Sequence, residues 1–493
     1  MRINIKKNSN VAFYIQIKNQ IKDMIYSRQT PKNYVLPSER DLAKKLDVNR
    51  STIVRAYQEL KAEGLIASDI GRGTYVIYNN AAVENTKPRN FVKSLFWHEM
   101  YSESSKKNYD DIISKIMNID GNNRIISFAG GIPAPELFPR EEFEKIQIEL
   151  LKSKVENIFS HSPVTGDKLL KKEIKHLMLN RGVRIPTKEV MVTSGSQQGI
   201  DLIVRTFINV NDVILIEEPT FFGAIQLFES LGAKVVGVPT DEYGVRIDIL
   251  EYLINKLNPK FIYTIPNFQN PTGVSMSIER RYELIGISKK YSIPIIEDDP
   301  YGELRYDGRQ LPPLKALDKH NYVLYLSTFS KVISLGLRVG WIIAPEGVIN
   351  KLSMLKQLTD LHVNTLSQHI ICEFLKQGYY EKHLERIRKQ YLLKRDIMTN
   401  ELKRNFEGFK FENPKGGFYI WGKLPNRVDL NTLFKKSIKN GVDFVPGNFF
   451  YKNNEKNDNF IRLNFTYPKK DEIIIGIKRL MDSFDEIKSI SND

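Results

Sequence analysis

Apolar and polar residues alternate along the first 80 positions in a pattern that predicts helices followed by a hairpin. In the stretch YIQIKNQIKDMI, Ile15, Ile17, Ile21, Met24 and Ile25 recur close to the 3.6-residue period of an amphipathic helix. A strand, a glycine-rich turn and a second strand are predicted in LIASDIGRGTYVI, because β-prone runs flank the glycines. The pattern therefore indicates a small helical unit that ends in a two-stranded wing.

Two further helices are predicted between these segments, on either side of the short turn DVN. LPSERDLAKKL opens the first, with Ser38 as the N-cap and Asp41 at the capping-box position. RSTIVRAYQELKAEGL forms the second, which Asn49 caps and Gly64 ends. Val48 and Ile53 have the spacing of a hydrophobic staple. The buried face of this helix is expected to contain Ile53, Ala56, Tyr57 and Leu60.

The pattern changes twice along the rest of the chain. Residues 79–122 show neither clear alternation nor a capped helical period, and we interpret them as a linker. From residue 123 onward, apolar β-rich runs (VMVTSG, DVILIEEP, FIYTIPN, IPIIEDD, YVLYLST, VGWIIAP) alternate with helical stretches, which predicts βαβ units and a mostly parallel sheet. The tail from about residue 350 is helix-rich with a few strands and predicts a smaller α+β lobe. We therefore predict an α/β protein with a winged helix at 10–78, a linker at 79–122 and a large domain at 123–488.

Charge adds a partner to this picture. The 493-residue chain has a formal net charge of +15, and its first 80 residues hold 14 Lys and Arg against 7 Asp and Glu. Lysine-rich solvated faces account for much of that excess, but its concentration in a small segment favours a polyanionic partner there.

Other features exclude classes of protein. The start MRINIKKNSN lacks the apolar segment of a signal peptide, and no apolar run reaches the 18 residues of a membrane span. Cys372 is the only cysteine, which excludes an internal disulfide and a cysteine metal site. Its apolar setting, IICEFL, favours a buried structural thiol. We expect a cytoplasmic protein without a metal centre.

The N-terminal pattern, a capped helix, a tight turn, a second capped helix and a β-wing, is typical of a winged helix-turn-helix. In such units the second helix enters the major groove of DNA with its first residues at the base edges. Arg50 and Arg55 can reach guanine edges or phosphates, and Arg72 lies between two glycines at the predicted wing tip. Any one of these charges alone would be better explained as part of a solvated face. The predicted DNA-contacting residues are Ser38, Arg40, Asn49, Arg50, Ser51, Thr52, Arg55 and Arg72.

The whole string LPSERDLAKKLDVNRSTIVRAYQELKAEGLI…GRGTYV resembles the GntR-type winged helix nearly position by position. The resemblance implies that this unit binds a double-stranded DNA operator.

Chemistry-bearing residues follow the predicted strands of the large domain. Lys331 lies among hydroxyl residues in STFSKVISLGLRVGW, and TSGSQQGID follows a strand where a helix N-terminus can bind phosphate. Phe221, Asn270 and Asp298 follow or end other strands, and the carboxyl ends of parallel strands meet where open α/β sheets bind ligands. A pyridoxal phosphate site needs these parts: a lysine, an anion for the ring nitrogen, phosphate donors and an aromatic face. Singly, each motif is better explained as a turn, a cap or a packed aromatic residue.

Together and in this order, the motifs resemble the fold-type I aminotransferase family, whose cofactor is pyridoxal 5′-phosphate. The resemblance implies that Lys331 forms a Schiff base with the cofactor and that Asp298 pairs with the pyridinium. It also implies that Asn270 and Tyr301 bond the phenolic oxygen and that Phe221 stacks on the ring. The implied catalytic residues are Lys331, Asp298 and Tyr301, and the implied phosphate-binding residues are Ser196, Gln197, Thr328, Ser330 and Arg338.

The same resemblance implies where an amino ligand binds. NFIRLNF places Arg462 where the family binds the α-carboxylate, and a guanidinium fork suits that contact. FAGGIPAPELFP resembles the N-terminal substrate loop and brings Gly131 near the carboxylate. His161 departs from the family, which has a tyrosine that reaches the phosphate across a dimer interface. A spacer role and a phosphate-binding role for His161 both stay open.

A GntR-type reader fused to a fold-type I domain resembles the MocR subfamily of bacterial transcription regulators. The resemblance implies a homodimer that binds DNA and holds pyridoxal phosphate, and that senses either an amino acid or amine effector or the supply of cofactor. The sequence leaves these two signals open. Two competing interpretations are a working aminotransferase with an incidental DNA-binding domain and a DNA-binding protein with a degenerate effector half. The intact DNA-reading motif favours a regulator over the first, and the intact cofactor set disfavours the second.

Overall fold

The computed structural model describes residues 3–5, 12–27, 29–69, 71–78, 100–102, 125–153, 155–452 and 459–490. The chain divides into two compact units, Met1–Lys106 and Lys107–Asp493. The predicted linker 79–122 lies outside the described residues except for residues 100–102.

The first unit contains three helices and a hairpin. Its elements are α1 (Phe13–Tyr26), α2 (Glu39–Leu46), α3 (Arg50–Ala62), β1 (Ile66–Asp69) and β2 (Gly73–Val76). The two strands pair antiparallel and form the predicted wing. The predicted apolar face of α3 is fully buried, whereas in α1 the burial is confined to Ile17, Ile21 and Ile25. Ile15 and Met24 are half-buried, so the stripe on α1 is narrower than the sequence pattern predicts.

Local side-chain contacts fix the ends of the two central helices. The Ser38 hydroxyl accepts a hydrogen bond from the Asp41 backbone N–H at 3.1 Å, and the Asn49 side chain accepts one from Ser51 N–H at 3.3 Å. The Asp41 carboxylate accepts from the Ser38 hydroxyl at 2.7 Å, so the predicted capping pair is closed through side chains. Gly64, with φ of 68°, lies in the left-handed region directly after α3, as its predicted role requires.

The second unit is built on an α/β core. Its strands are β3 (Ile126–Ser127), β4 (Val190–Thr193), β5 (Val213–Glu218), β6 (Lys234–Asp241), β7 (Gly244–Val245), β8 (Phe261–Thr264), β9 (Ile295–Asp298), β10 (Val323–Thr328), β11 (Gly340–Ile343), β12 (Lys410–Phe411), β13 (Tyr419–Lys423), β14 (Val442–Asp443), β15 (Val445–Pro446) and β16 (Phe460–Asn464). Its helices are α4 (Arg140–Ser153), α5 (Val155–Ile158), α6 (Lys168–Asn180), α7 (Ser196–Phe207), α8 (Phe222–Ser230), α9 (Ile247–Leu257), α10 (Ile278–Tyr291), α11 (Leu314–Leu317), α12 (Glu346–Thr359), α13 (Thr365–Lys376), α14 (Tyr379–Asn405), α15 (Leu430–Lys439) and α16 (Lys470–Ile490).

The large sheet has the order β4-β11-β10-β9-β8-β5-β6-β7 in the described part of the chain. The strands β10, β9, β8, β5 and β6 pair in parallel, which confirms the predicted mostly parallel sheet. β11 runs antiparallel between β10 and β4, and β7 runs antiparallel to β6. The six β-rich runs of the sequence all form strands of this sheet, and five of them run in the same direction. Their carboxyl ends therefore meet at one edge.

A second sheet, β12-β13-β16-β15, forms the smaller lobe together with α14, α15 and α16, as the helix-rich tail predicts. β3 pairs in parallel with β14 and so ties the start of the described second unit to this lobe. Cys372 is buried in the large apolar cluster, and burial raises the pKa of its thiol to about 12. A thiol with so high a pKa is a poor nucleophile at neutral pH, which supports the structural role.

No helix within the described residues is long and apolar enough to cross a membrane. The same residues contain no cluster of three or more His, Cys, Asp or Glu side chains that could hold a metal ion.

Candidate functional site

A cavity of about 680 Å³ lies at the carboxyl edge of the large sheet. The turns that follow the parallel strands bring its walls together, because those strands end at the same edge. All twelve residues that the sequence predicts for cofactor and ligand binding line this cavity: Gly131, Ser196, Gln197, Phe221, Asn270, Asp298, Tyr301, Thr328, Ser330, Lys331, Arg338 and Arg462.

Lys331 ends a short 3-10 turn directly after β10. Its Nζ donates a hydrogen bond to the backbone carbonyl of Gly131 at 2.6 Å. Burial, together with the positive charges of Arg462 and Arg338, lowers the pKa of Lys331 to about 8. A lysine with that pKa is partly neutral near pH 7, and the neutral amine is the form that attacks a carbonyl.

Asp298 is the last residue of β9 and is 3% exposed. Its Oδ2 accepts a hydrogen bond from the Tyr263 hydroxyl at 2.8 Å, whereas its Oδ1 is buried without a hydrogen-bond partner among the described residues. Burial raises the pKa of this carboxyl to about 7, and the Tyr263 bond opposes the rise. A buried acceptor with an open oxygen fits the protonated ring nitrogen of pyridoxal phosphate, whose positive charge would also favour the carboxylate.

The end of β4 forms a cradle with the features of a phosphate site. Gly195, with φ of 86°, precedes the first turn of α7, and a Cβ there would lie 2.7 Å from the Arg338 guanidinium. Arg338 donates to the Ser194 carbonyl at 3.0 Å and to the Ser330 hydroxyl at 3.4 Å. The helix N-terminus, a hydroxyl and a guanidinium therefore converge, which fits a dianionic phosphate.

The Thr328 and Gln197 side chains are already engaged near this cradle. Thr328 Oγ1 accepts from Ser330 N–H at 3.1 Å and so caps the turn that carries Lys331. Gln197 Nε2 donates to the Gly223 carbonyl at 3.4 Å and links α7 to α8. Their phosphate contacts stay predictions, and the structure gives each a local bond as well.

Arg462, the residue predicted to bind a ligand carboxylate, lies on β16 and lines the cavity. It donates to Asn270 Oδ1 at 2.9 Å and to the Ala129 carbonyl at 2.5 Å, and its guanidinium carbon lies 4.2 Å above the Tyr419 ring. Its Nε is buried without a hydrogen-bond partner among the described residues. Because Arg462 uses the oxygen of the Asn270 amide, the amide nitrogen is left to donate to a ligand.

Four successive carbonyls, those of residues 129–132, are all bound by side chains of the cofactor domain. Arg462 binds the first and Lys331 the third. Asn464 Nδ2 donates to the Gly130 carbonyl at 2.5 Å, and Thr466 Oγ1 donates to the Ile132 carbonyl at 3.1 Å. We call Ala129–Ile132 the 129–132 segment. It begins two residues after β3, the first element after the predicted linker in the described chain.

Sequence reasoning missed several residues that hold this site. Tyr263 bonds Asp298, Tyr419 bonds the Tyr301 hydroxyl at 3.0 Å, and Asn464 bonds the 129–132 segment. Gly195 could have been found, since it follows a predicted strand and precedes a predicted helix in TSGSQQG. The others lie inside β-runs, where the sequence signal is burial rather than chemistry.

His161 does not line the cavity. It is exposed, and its ring contacts the His362 ring edge-on with centroids 4.8 Å apart. Its contact with a phosphate of a second copy remains a prediction.

Three of the predicted DNA-contacting arginines, Arg50, Arg55 and Arg72, are exposed and make local contacts with neighbouring side chains. The Arg50 side chain is 66% exposed and lies 3.4 Å from Glu39, and Arg55 is 62% exposed and stacks 3.9 Å from the Tyr14 ring centroid. Arg72 donates to Asn33 Oδ1 at 3.0 Å at the wing tip.

The other predicted DNA-contacting residues lie on or beside the two central helices. Ser38 and Asn49 use their side-chain oxygens as caps, which leaves fewer groups for DNA. Arg40 and Ser51 are exposed and Thr52 is half-buried. Their DNA contacts stay predictions.

Comparison with known families divides the chain in the same order as the two units. The family described as "Bacterial regulatory proteins, gntR family" matches residues 13–76. The family described as "Aminotransferase class I and II" matches residues 140–480, more than half of the chain.

Relatives of both kinds are similar to this chain. The "Aromatic-amino-acid aminotransferase 1" of Thermococcus litoralis is 38% identical over 80% of this chain and 96% of its own length. The "Uncharacterized HTH-type transcriptional regulator YdfD" of Bacillus subtilis is 30% identical over 96% of this chain and 97% of its own. A crystal structure of LysN, an alpha-aminoadipate aminotransferase from Thermus thermophilus complexed with N-(5′-phosphopyridoxyl)-L-leucine, is 34% identical, with a TM-score of 0.75 over 80% of this chain and all of that one.

Proposed function

We propose that ligands of the cofactor site control the binding of this protein to operator DNA. The chain belongs to the aminotransferase class I and II family and is a GntR-type regulator of the MocR kind. The aminotransferase-like domain binds pyridoxal phosphate, and the gntR-family unit binds DNA. The proposal concerns the signal and its route.

The observation that carries the proposal is the 129–132 segment. Lys331 and Arg462, the two cations proposed to hold cofactor and ligand, each donate to one of its carbonyls. A group that bonds to the Lys331 amine would remove the hydrogen bond from Lys331 to the Gly131 carbonyl. A carboxylate bound to Arg462 would compete with the Ala129 carbonyl for the guanidinium. The segment also follows the linker from the DNA-binding unit along the chain. Occupancy of the site would therefore bias a segment of the second unit that lies a few residues past the predicted linker in the sequence.

The chain's residues have separate tasks in this proposal. Pyridoxal phosphate, when bound, supplies an aldehyde that forms a covalent bond with amines and a ring that accepts electrons. Lys331 presents a partly neutral amine to it, and Asp298 presents a carboxylate to its ring nitrogen. Arg338 and the start of α7 would hold its phosphate, and Phe221 would pack against its ring. These are the tasks of holding and orienting, which a sensor needs as much as an enzyme does.

The ligand class is an α-amino acid. Its carboxylate would bind Arg462, whose buried Nε has no hydrogen-bond partner among the described residues and whose guanidinium suits a carboxylate. Its amine would compete with the Lys331 amine for the cofactor aldehyde, and a free Lys331 amine donates to the Gly131 carbonyl. The alternative signal is cofactor supply, in which the cofactor-loaded and cofactor-free forms differ in operator affinity.

We also propose a homodimer that presents two winged helices to an operator with two half-sites. Two large apolar side chains that are close in sequence to His161 and His362 are exposed: Phe159 is 71% exposed and Leu358 is 84% exposed. A second copy of the chain would cover such a face. His161 lies beside it, where the family resemblance implies a contact between subunits.

A second candidate function is transamination itself. The cavity carries the full residue set that the resemblance predicts, and an aminotransferase is the relative at 38% identity. Mixing the cofactor-loaded protein with each amino acid and measuring 2-oxo acid release would test it. Turnover without any effect on DNA binding would favour the enzyme.

The regulator proposal is tested by operator binding. The affinity of the purified protein for its operator is measured by fluorescence anisotropy without cofactor, with pyridoxal phosphate, and with pyridoxal phosphate plus each amino acid. At least one addition should change the affinity, and Lys331→Ala should abolish that change. Equal affinities in all three conditions would contradict the proposal.

A further inference from the structure

Tyr419, at the start of β13, touches three parts of the cofactor site at once. Its hydroxyl lies 3.0 Å from the Tyr301 hydroxyl, and its ring lies under the Arg462 guanidinium at 4.2 Å. A Cβ on Gly131 would lie 2.5 Å from the Tyr419 oxygen, so only glycine there leaves room for it. Tyr419 itself is 2% exposed.

One direction of the hydrogen bond between Tyr419 and Tyr301 leaves a proton for a bound cofactor. Among the described residues neither hydroxyl has a second hydrogen-bond partner, and each carries a single proton. If Tyr301 donated to Tyr419, it would have no proton for an acceptor in the cavity. If Tyr419 donates to Tyr301, the Tyr301 proton is free to bond the phenolic oxygen of the cofactor.

The amide of Asn270 obeys the same logic. Its oxygen accepts from Arg462, which leaves its nitrogen as a donor on the cavity side. Arg462 is in turn stacked on the Tyr419 ring and contacts the Phe450 ring at 5.1 Å. Tyr419 thus contacts Tyr301 directly and reaches Asn270 through Arg462, and these are the two residues predicted to donate to the phenolic oxygen.

We propose that Tyr419 is a positioning residue of this site, whose hydroxyl directs the Tyr301 proton toward the cofactor and whose ring holds Arg462 for a ligand carboxylate. The hydroxyl and the ring have separable effects. The inference rests on the proposed role of the site, and its first readout needs only bound cofactor rather than a response to DNA.

The hydroxyl is tested by Tyr419→Phe, which keeps the ring. A hydrogen bond donated to the phenolic oxygen stabilises its ionised form and lowers the pH at which the lysine–cofactor unit loses a proton. In Tyr419→Phe the Tyr301 oxygen no longer accepts a hydrogen bond, which makes Tyr301 a weaker donor to the phenolic oxygen. The midpoint of the visible absorbance change should therefore rise by about half a pH unit. Tyr301→Phe should raise it more, and the double variant should equal Tyr301→Phe, because Tyr419 acts through Tyr301.

The ring is tested by Tyr419→Leu. Loss of the stacked face should weaken binding of an amino acid to the cofactor-loaded protein by about threefold to tenfold, whereas Tyr419→Phe should leave that affinity unchanged. Tyr380→Phe is the matched control, since Tyr380 is a buried tyrosine of the same apolar cluster that does not line the cavity. It should leave both the midpoint and the affinity unchanged.

An unchanged midpoint in Tyr419→Phe, or a shift that adds in full to that of Tyr301→Phe, would overturn the role of the hydroxyl. An amino acid affinity in Tyr419→Leu equal to that of the wild type would overturn the role of the ring. Failure of the regulatory proposal would look different, because the midpoint would shift as expected while operator affinity ignored every ligand.

Discussion

The winged-helix unit and the cofactor site hold their functional side chains in opposite ways. Arg50 and Arg55 are mostly exposed and have one or two local contacts each. Asp298 and Arg462 are each 3% exposed and belong to hydrogen-bond networks that join distant parts of the chain. The difference suits their partners, because DNA is met at a surface whereas a cofactor must be enclosed. We therefore expect a substitution in the first unit to have a local effect, whereas the effect of a substitution in the cofactor site should extend to residues that are bonded to the substituted one.

The largest effect is expected from Lys331→Ala. Borohydride treatment of the cofactor-loaded wild type should fix the cofactor covalently on the peptide that contains Lys331, and the variant should retain no covalent label. The measurement is mass spectrometry of the digested protein. Lys351→Ala, which removes an exposed lysine of α12, is the control and should label fully. A variant that still carried the label at another lysine would show that Lys331 is not the attachment residue.

The next largest effect concerns Asp298 and pH. Its pKa is raised in the folded protein from 3.8 to about 7, so the folded state holds a proton that the unfolded state has lost. Its contribution to the stability of the cofactor-free protein is therefore most favourable below pH 4 and declines as the pH rises to about 7. Asp298→Asn should remove this decline, which amounts to as much as about 4 kcal/mol in the free energy of unfolding.

Urea unfolding of cofactor-free wild type and Asp298→Asn at pH 5 and pH 8 checks this expectation. The variant should gain stability relative to wild type at the higher pH, yet it should retain cofactor less well, because a neutral amide does not stabilise the ring cation. Parallel pH profiles of the two proteins, with equal cofactor retention, would mean that Asp298 is not the buried acid of the site.

A smaller and local effect is expected in the winged-helix unit. Arg50→Ala and Arg55→Ala should each weaken operator binding by about 1–3 kcal/mol if the side chain contacts a base edge. Neither should alter the visible spectrum of the bound cofactor, because the residues belong to a different unit. Lys61→Ala, at the other end of α3, is the control and should cost less. A changed cofactor spectrum in either arginine variant would break the contrast between the two regions.

The smallest effect is expected from Thr466→Val, which keeps the shape of the side chain and removes a hydroxyl that lies 3.1 Å from the Ile132 carbonyl and 3.0 Å from Asn464 Oδ1. Because one neutral hydrogen bond contributes about 1 kcal/mol, folding should survive. Cofactor binding and operator binding, measured separately, should be nearly unchanged, but the effect of ligand on operator affinity should fall. Thr399→Val, a buried threonine of α14 that bonds the Asp396 carbonyl, is the control. Full coupling in Thr466→Val would remove the 129–132 segment from the route.

Much of the fold follows from local sequence signals. The caps at Ser38 and Asn49, the apolar face of α3 and the β-rich runs all depend on residues a few positions apart, and the structure confirms them. The direction of β11 could not be predicted, because VGWIIAP specifies a strand but not its pairing.

The cofactor cavity was predictable for a different reason. Lys331 follows one parallel strand and Asp298 ends another, so the topology of the sheet brings them together without knowledge of any side-chain contact. The Tyr301–Tyr419 bond spans 118 positions, and no periodicity signals it. Three of the four carbonyl contacts of the 129–132 segment, such as that of Asn464, span more than 300 positions. Contacts of this kind depend on the packing of the small lobe against the large sheet, which local patterns do not encode.

The central claim is that the site around Lys331 and the DNA-binding surface of α3 are coupled. Thermodynamic linkage makes coupling reciprocal: a ligand that shifts operator affinity must itself bind more tightly or more weakly when operator is present. The direct measurement is the affinity of the cofactor-loaded wild type for each reactive amino acid, by absorbance titration, with and without saturating operator. We predict that operator changes the affinity for at least one ligand by the same factor by which that ligand changes the operator affinity. Nonspecific DNA, whose binding depends strongly on salt, should leave the ligand affinity unchanged. Equal ligand affinities with and without operator, together with equal operator affinity of the cofactor-free and cofactor-loaded forms, would contradict the account and leave an aminotransferase that carries a DNA anchor.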